Sequence, residues 1–221
     1  MNNVSITEKY TLWMLKEKKM LYENELTPHL IVSMIIEMML DGNLEITSKN
    51  KVKLNEKVPT AKYNKRLYEI MKDLKKEEIS LKNIITSICY TFSNKKLQSV
   101  IETLKDGMLE KELIVIESKK GLLGNKEKIQ INENKFINVI EEIRSEFLEK
   151  GNLTEDLILL TSLLNSTKFL KNIFTKYEKE ELNSRLKEIE NTQISKKVKV
   201  AQSVISDMSA LTASILLTSL N

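Results

Sequence analysis

The chain has 221 residues, 41% hydrophobic and 30% charged, with 5 Gly, 2 Pro and a formal net charge of +4. That length can bury a full core, and that composition excludes disorder and predicts one mainly α domain over 1–221, a compact bundle of about nine helices with two β-hairpins, one of them projecting. A single cysteine, Cys89, in the apolar run "IITSICYTF" excludes a disulfide framework or a CxxC metal site and suits a reducing compartment.

The first helix signal is "TEKYTLWMLKEKKML", where Tyr10, Trp13, Met14 and Leu21 recur at helical spacing and Thr7 is the candidate N-cap. Charges break every apolar run of this N-terminal stretch, so it does not read as an export signal. Next comes "LTPHLIVSMIIEMMLDG", with Thr27 as N-cap, Pro28 at the first helical position and Gly42 as the stop. Its apolar side is almost continuous, which predicts a central helix. "NLEITSKNKVKLN" is two short runs of period two around "SKN", hence a β-hairpin.

Helices resume in "AKYNKRLYEIMKDLKK", in "SLKNIITSICYTF" with Ser80 as cap, and in "NKKLQSVIETLKDGMLEKEL". "LIVIE" and "KIQI" then form a second hairpin around "GLLG". The remainder is helical: "NKFINVIEEIRSEFLEK" up to Gly151, "TEDLILLTSLLN" with a Thr cap, the charged "EKEELNSRLKEIE", and a last helix with Val204, Met208, Leu211 and Ile215 on one face. The charge-free run at 208–221 is shorter than the ~20 apolar residues that cross a bilayer.

Charge is uneven along the chain. Residues 1–100 hold 17 Lys and Arg against 12 Asp and Glu, and the stretch 47–66 carries Lys49, Lys51, Lys53, Lys57, Lys62, Lys65 and Arg66 against Glu56 alone. A basic patch of this kind suits an anionic surface, phospholipid or nucleic acid; the alternative is a solvated hairpin. Catalytic constellations are missing. His29 stands alone in the first turn of an apolar helix, the carboxylate clusters read as solvated helix faces with no burial to raise a pKa, and "GLLG" is too short and apolar to cradle phosphate. The reading is non-enzymatic, with no cofactor and no metal.

The order of these elements resembles the Golgi phosphoprotein 3 family over nearly the whole length. The likeness is carried by "TEKYTLWML", by "LIVSMIIEMMLDGNLEI" with its glutamate and Gly-bearing strand entry, and by "VPTAKYNKRLYEIM", which is similar to the family's PTGD-plus-helix segment with Ala61 and Lys62 in place of Gly and Asp. It continues through "VIETLKDGMLEKELIVIE" and "TEDLILLTSLLNSTKFLKNIF". The resemblance implies a helical protein docked on the cytosolic face of a membrane, on the Golgi in eukaryotes, where it binds phosphatidylinositol 4-phosphate. It also implies a hairpin that touches the membrane or a second copy, and retention of membrane-protein cargo through cytosolic tails. By position the family's pocket tryptophan falls at Tyr22, its following arginine at Ile31, and its arginine cluster within "QSVIET", 98–103, which holds no basic residue. A guanidinium fork reads phosphate in a way lysine does not, and Lys18, Lys19, Lys95 and Lys96 are the candidate replacements.

The second hairpin raises its own question, because loop tips are ordinarily polar. Leu122 and Leu123 sit between glycines with Lys119, Lys120, Lys126 and Lys128 beside them. Three destinations are open for the leucines: lipid, another protein chain including a second copy, or the chain's own core. A winged-helix-like nucleic-acid binder also fits the helix, strand, loop and strand of 31–57, although the scarcity of arginine speaks against nucleic acid.

Overall fold

The computed structural model describes residues 4–17, 19, 21, 26–47, 51–121, 124–149, 153–190 and 195–219; the side chains of 118–121, 124–127, 172, 189–190, 209 and 211–219 lie outside that description. Gly151 of the expected helix stop, and Leu211 and Ile215 of the last helix face, therefore lie outside it in whole or in side chain.

The chain enters through α1 (Ile6–Lys16), whose start is a reciprocal cap. Ser5 Oγ accepts from the Glu8 backbone N–H at 3.2 Å and the Glu8 carboxylate accepts from the Ser5 N–H at 2.9 Å. Thr7, the residue expected to cap, lies inside the helix. Ser5-x-x-Glu8 supplies both halves of a capping box, and Thr7 has no acidic residue three positions on. The helix ends at Lys16, so Leu21 is buried but not helical. Every residue from Ile6 to Met14 is buried, because α1 packs on α2 (Thr27–Leu40), α6 (Glu133–Leu148) and α7 (Glu155–Ser166) at once. Trp13 is the aromatic centre: its ring meets Phe136 edge-on at 5.1 Å and stacks with Phe174 at 6.4 Å.

Helix α2 is as central as its apolar run predicts, with 12 buried residues among its 14. Its N-cap is Leu26, without a side-chain bond, and Thr27 occupies the first turn, its hydroxyl instead donating to the Leu21 carbonyl at 3.4 Å. The C-terminus closes on Gly42 at φ +75°, with the Asn43 N–H returning to the Met38 carbonyl at 2.8 Å. Left-handed backbone there favours a residue without Cβ.

The first hairpin, β1 (Leu44–Ile46) and β2 (Lys51–Leu54), gains a third strand absent from the sequence reading, β3 (Ile79–Ser80), giving the antiparallel order β1-β2-β3. Leu44, Ile46, Val52 and Ile79 are buried, and Glu45 stands opposite Lys53. Two residues form too short a run to show period two. Helices α3 (Lys62–Lys72), α4 (Leu81–Cys89) and α5 (Lys95–Glu110) follow, with α3 packed along α5 and Ser80 capping α4 through the Asn83 N–H at 3.2 Å. After the long hairpin β4 (Ile114–Gly121) and β5 (Gly124–Ile131) come α6, capped by Asn132, and α7, capped by Thr154. A 3-10 turn (Phe169–Asn172), α8 (Lys176–Glu190) and α9 (Lys196–Ser219) complete the chain, α9 lying on α7 and α2. The architecture is mainly α with two small antiparallel sheets.

A polar chain threads this core. Tyr63 Oη donates to Glu37 at 2.8 Å, Asn64 Nδ2 donates to the same carboxylate at 2.9 Å, and the Thr7 N–H reaches its other oxygen at 3.3 Å. Because the Tyr63 hydroxyl donates to Glu37, the 2.8 Å contact between Ser5 Oγ and Tyr63 Oη has serine as donor. Burial pushes the Glu37 carboxyl above the usual carboxylate range, opposed by the hydrogen bonds from Thr7 and Tyr63. The sequence predicts no carboxylate whose burial raises its pKa; Glu37 departs from that with its oxygens held by structural donors, and burial raises the Asp156 carboxyl as well.

Two measurements test this core, both followed by the emission of Trp13, the one tryptophan. Glu8→Ala removes the capping box and leaves the Lys111 ammonium without the buried carboxylate it meets at 2.8 Å, so urea unfolding should show a loss of about 3 kcal/mol. Lys16→Ala, which cuts an exposed pair with Glu133, should cost under about 1 kcal/mol. Glu37→Gln should reverse a pH trend. A folded-state pKa above the unfolded one contributes stability fully below the unfolded value and loses it as pH rises through the folded value, so wild type should weaken relative to the variant as pH rises from the ordinary carboxylate value of about 4 toward neutrality. A constant difference across that range would refute the assignment.

Candidate functional site

The long hairpin grows directly out of the core. Helix α5 ends with the Leu113 N–H on the Met108 carbonyl at 2.9 Å and the Glu112 N–H on Leu109 at 2.9 Å, the same closure that ends α2. Here the left-handed position is held by Glu112 at φ 56°, which costs roughly 1–2 kcal/mol in an L-residue. Across the base, the Asn132 N–H bonds the Leu113 carbonyl at 2.9 Å and Asn132 Nδ2 bonds the Glu112 carbonyl at 3.0 Å. Both ends of the ribbon are thus tied together before the strands begin.

The ladder runs from Ile114 opposite Ile131 to Gly121 opposite Gly124. Its inner rungs are seated: Ile114 is buried, Ile129 and Ile131 pack against the core, and the ribbon touches α5 through β4 and α1 through β5. Exposure rises outward, through Val115 at 57%, to Glu117 and Lys128, which oppose one another and are both exposed. From Ile114 to Gly121 a strand extends about 24 Å at its usual rise. Lys119 and Lys126 occupy opposed register positions, an arrangement that destabilises an isolated ribbon unless an anion or solvent screens it. Leu122 and Leu123 lie outside the described residues, as do the side chains of Lys119, Lys120 and Lys126; Lys128 is exposed.

The basic stretch at 47–66 is not a bare cationic face. Lys51 pairs with Glu78 at 3.1 Å, Lys53 stands opposite Glu45, Lys57 Nζ donates to the Asp41 carbonyl, Lys62 pairs with Glu110, and Arg66 meets Glu69 at 3.6 Å and Ser99 Oγ at 2.9 Å. The acids come from other segments, so a count along 47–66 overstates the local charge. Lys49 lies outside the described residues.

The proposed replacements for the family's arginines come from two segments, one after α1 and one at the start of α5. Lys18 and Tyr22 lie outside the described residues; Lys19 is exposed after α1, with its N–H on the Met14 carbonyl at 3.0 Å. Lys95 and Lys96 are exposed at the start of α5, and the opposite end of that helix is the one that meets α1 through Lys111 and Glu8. Ile31 and Ile101 are fully buried. His29 is buried in the first turn of α2, and burial pushes the Cys89 thiol up to about 12, which leaves it unreactive at neutral pH. Among the described residues no group of His, Cys, Asp or Glu could hold a metal ion, and no helix is long and apolar enough to cross a membrane.

Sequence reasoning missed the carboxylates that organise the site's foundation. Glu8 was readable as the fourth residue of Ser5-x-x-Glu8, and Glu37 as the one acid in an otherwise apolar helix. Lys111, which completes the Glu8 pair from a distance of 103 residues, carried no local signal.

With this fold in view, residues 8–208 match the family model of Golgi phosphoprotein 3 (GPP34), so the chain belongs to that family. No curated protein matches it. The family is not one of enzymes, and it is known for binding phosphoinositides at the Golgi.

The strained base is directly testable. Glu112→Gly relieves the left-handed conformation and should raise stability by about 1 kcal/mol in urea unfolding, whereas Gly42→Ala, at the matching position of α2, should lower it by a similar amount.

Proposed function

We propose that this chain is a non-enzymatic peripheral membrane protein that binds anionic phospholipid through the β4–β5 hairpin and acts as an adaptor for membrane-protein cargo. It would work on the cytosolic face of a membrane. Family membership supports the class, and the observation that carries the mechanism is a ribbon fixed at its base whose outer part combines opposed lysines with the sequence Gly-Leu-Leu-Gly. An anionic surface screens the opposed positions of Lys119 and Lys126. Burying two leucines among lipid chains contributes roughly 3–6 kcal/mol at most, and each lysine near headgroups about 1 kcal/mol. That is reversible docking, and a second contact makes it durable.

Headgroup choice follows from the arginine positions. Ile31 and Ile101 are buried and 98–103 holds no basic residue, so recognition by guanidinium forks is not available there. The binding we propose therefore tracks total negative charge, and phosphatidylinositol 4-phosphate is one anionic lipid among several.

Co-sedimentation with vesicles tests both parts. Wild type should pellet with phosphatidylserine vesicles, less so at high salt, and Leu122→Ser/Leu123→Ser should bind at least about tenfold more weakly. Vesicles with phosphatidylinositol 4-phosphate at matched charge should add little. Equal pelleting of wild type and the double variant would rule out the leucine tip, and loss of self-association in the variant without loss of pelleting would assign the tip to a second copy.

A further inference from the structure

The connection between α4 and α5 carries an aromatic side chain that the sequence reading passed over. Phe92 is 111% exposed, beyond the extended-chain reference, while its neighbours Tyr90 and Thr91 are half-buried and Leu97 is fully enclosed. The turn is a built one. The Asn94 N–H returns to the Thr91 carbonyl at 3.3 Å, Asn94 adopts φ 47°, and Gln98 N–H bonds the Asn94 carbonyl at 2.9 Å as α5 begins. Residues 91–94 therefore hold the ring out from the body, although burying it in the core would be favourable.

The flanking sequence is cationic. From residue 79 to 101 there is no acidic residue, and Lys82, Lys95 and Lys96 in that stretch are all exposed. Among the described residues the other exposed large apolar side chains, Val58, Val115, Ile137 and Tyr177, come from other segments, so α4, the turn and α5 present one fully exposed ring. A stable protein interface needs roughly 800 Å² on each partner with a packed apolar centre. Insertion of a single ring into a bilayer interface needs no complementary pocket, and exposed lysines beside it suit anionic headgroups.

We propose that the α4–α5 turn is a second membrane contact, with Phe92 entering the interface of an anionic bilayer and Lys82, Lys95 and Lys96 resting on its headgroups. This rests on the peripheral membrane reading above and supplies the second signal that reading calls for. It is a different surface from the hairpin and can be removed separately.

The test uses the full chain with phosphatidylserine vesicles. Phe92→Ser should weaken pelleting about tenfold with an unchanged circular dichroism spectrum, since the ring makes no core contact. Phe92→Trp should be quenched by vesicles with brominated acyl chains, with wild type as the blank because Trp13 is fully buried. That quenching should persist in a Leu122→Ser/Leu123→Ser background at saturating vesicles. Undiminished pelleting of Phe92→Ser together with no quenching of Phe92→Trp would overturn the second contact and leave the hairpin reading standing. Failure of wild type to pellet would overturn both. A Phe92→Ser effect on self-association in the absence of vesicles, with pelleting unchanged, would assign the turn to protein contact and overturn the proposal.

Discussion

The Glu8 carboxylate is the interaction on which the arrangement depends. It is 1% exposed, and a buried carboxylate costs several kcal/mol unless hydrogen bonds and a countercharge answer it. The Ser5 N–H answers from its own helix start and the Lys111 ammonium from the end of α5. One group therefore caps α1 and ties it to the residue directly before the turn into the long hairpin.

Around it the polar core extends in one direction through Ser5, Tyr63 and Glu37, and the aromatic core in another through Trp13, Phe136 and Phe174. The first joins α1 to α2 and α3; the second joins α1 to α6 and the segment after α7. Helix α1 is consequently buried on every side, which explains why an 11-residue helix with three charged residues has no solvated face along Ile6–Met14. Its lysine at position 9 reaches outward to Glu142, where the ammonium is partly wet.

The distribution of charge bears on the membrane reading more than the net +4 does. Lysines of 47–66 are largely matched by acids that the fold brings from elsewhere, whereas the α4–α5 turn and the outer hairpin carry lysines with few acids nearby in sequence. Long-range attraction to a bilayer is a property of segments with an excess of cations, since matched pairs cancel within a Debye length. Two small contacts, each of modest affinity, suit a protein that associates reversibly.

The sequence by itself determined the helix order, the cap at Ser80 and Thr154, the glycine stop after α2 and both hairpins, because each is written within one turn or one period of local residues. It misplaced the caps of α1 and α2, where the competing choice lay one or two residues away. The third strand, the Glu8–Lys111 pair, the donors that hold Glu37, the matching of the basic stretch and the exposure of Phe92 were decided by tertiary structure alone. Each depends on which distant segment arrives alongside, and distance through space leaves no periodicity along the chain.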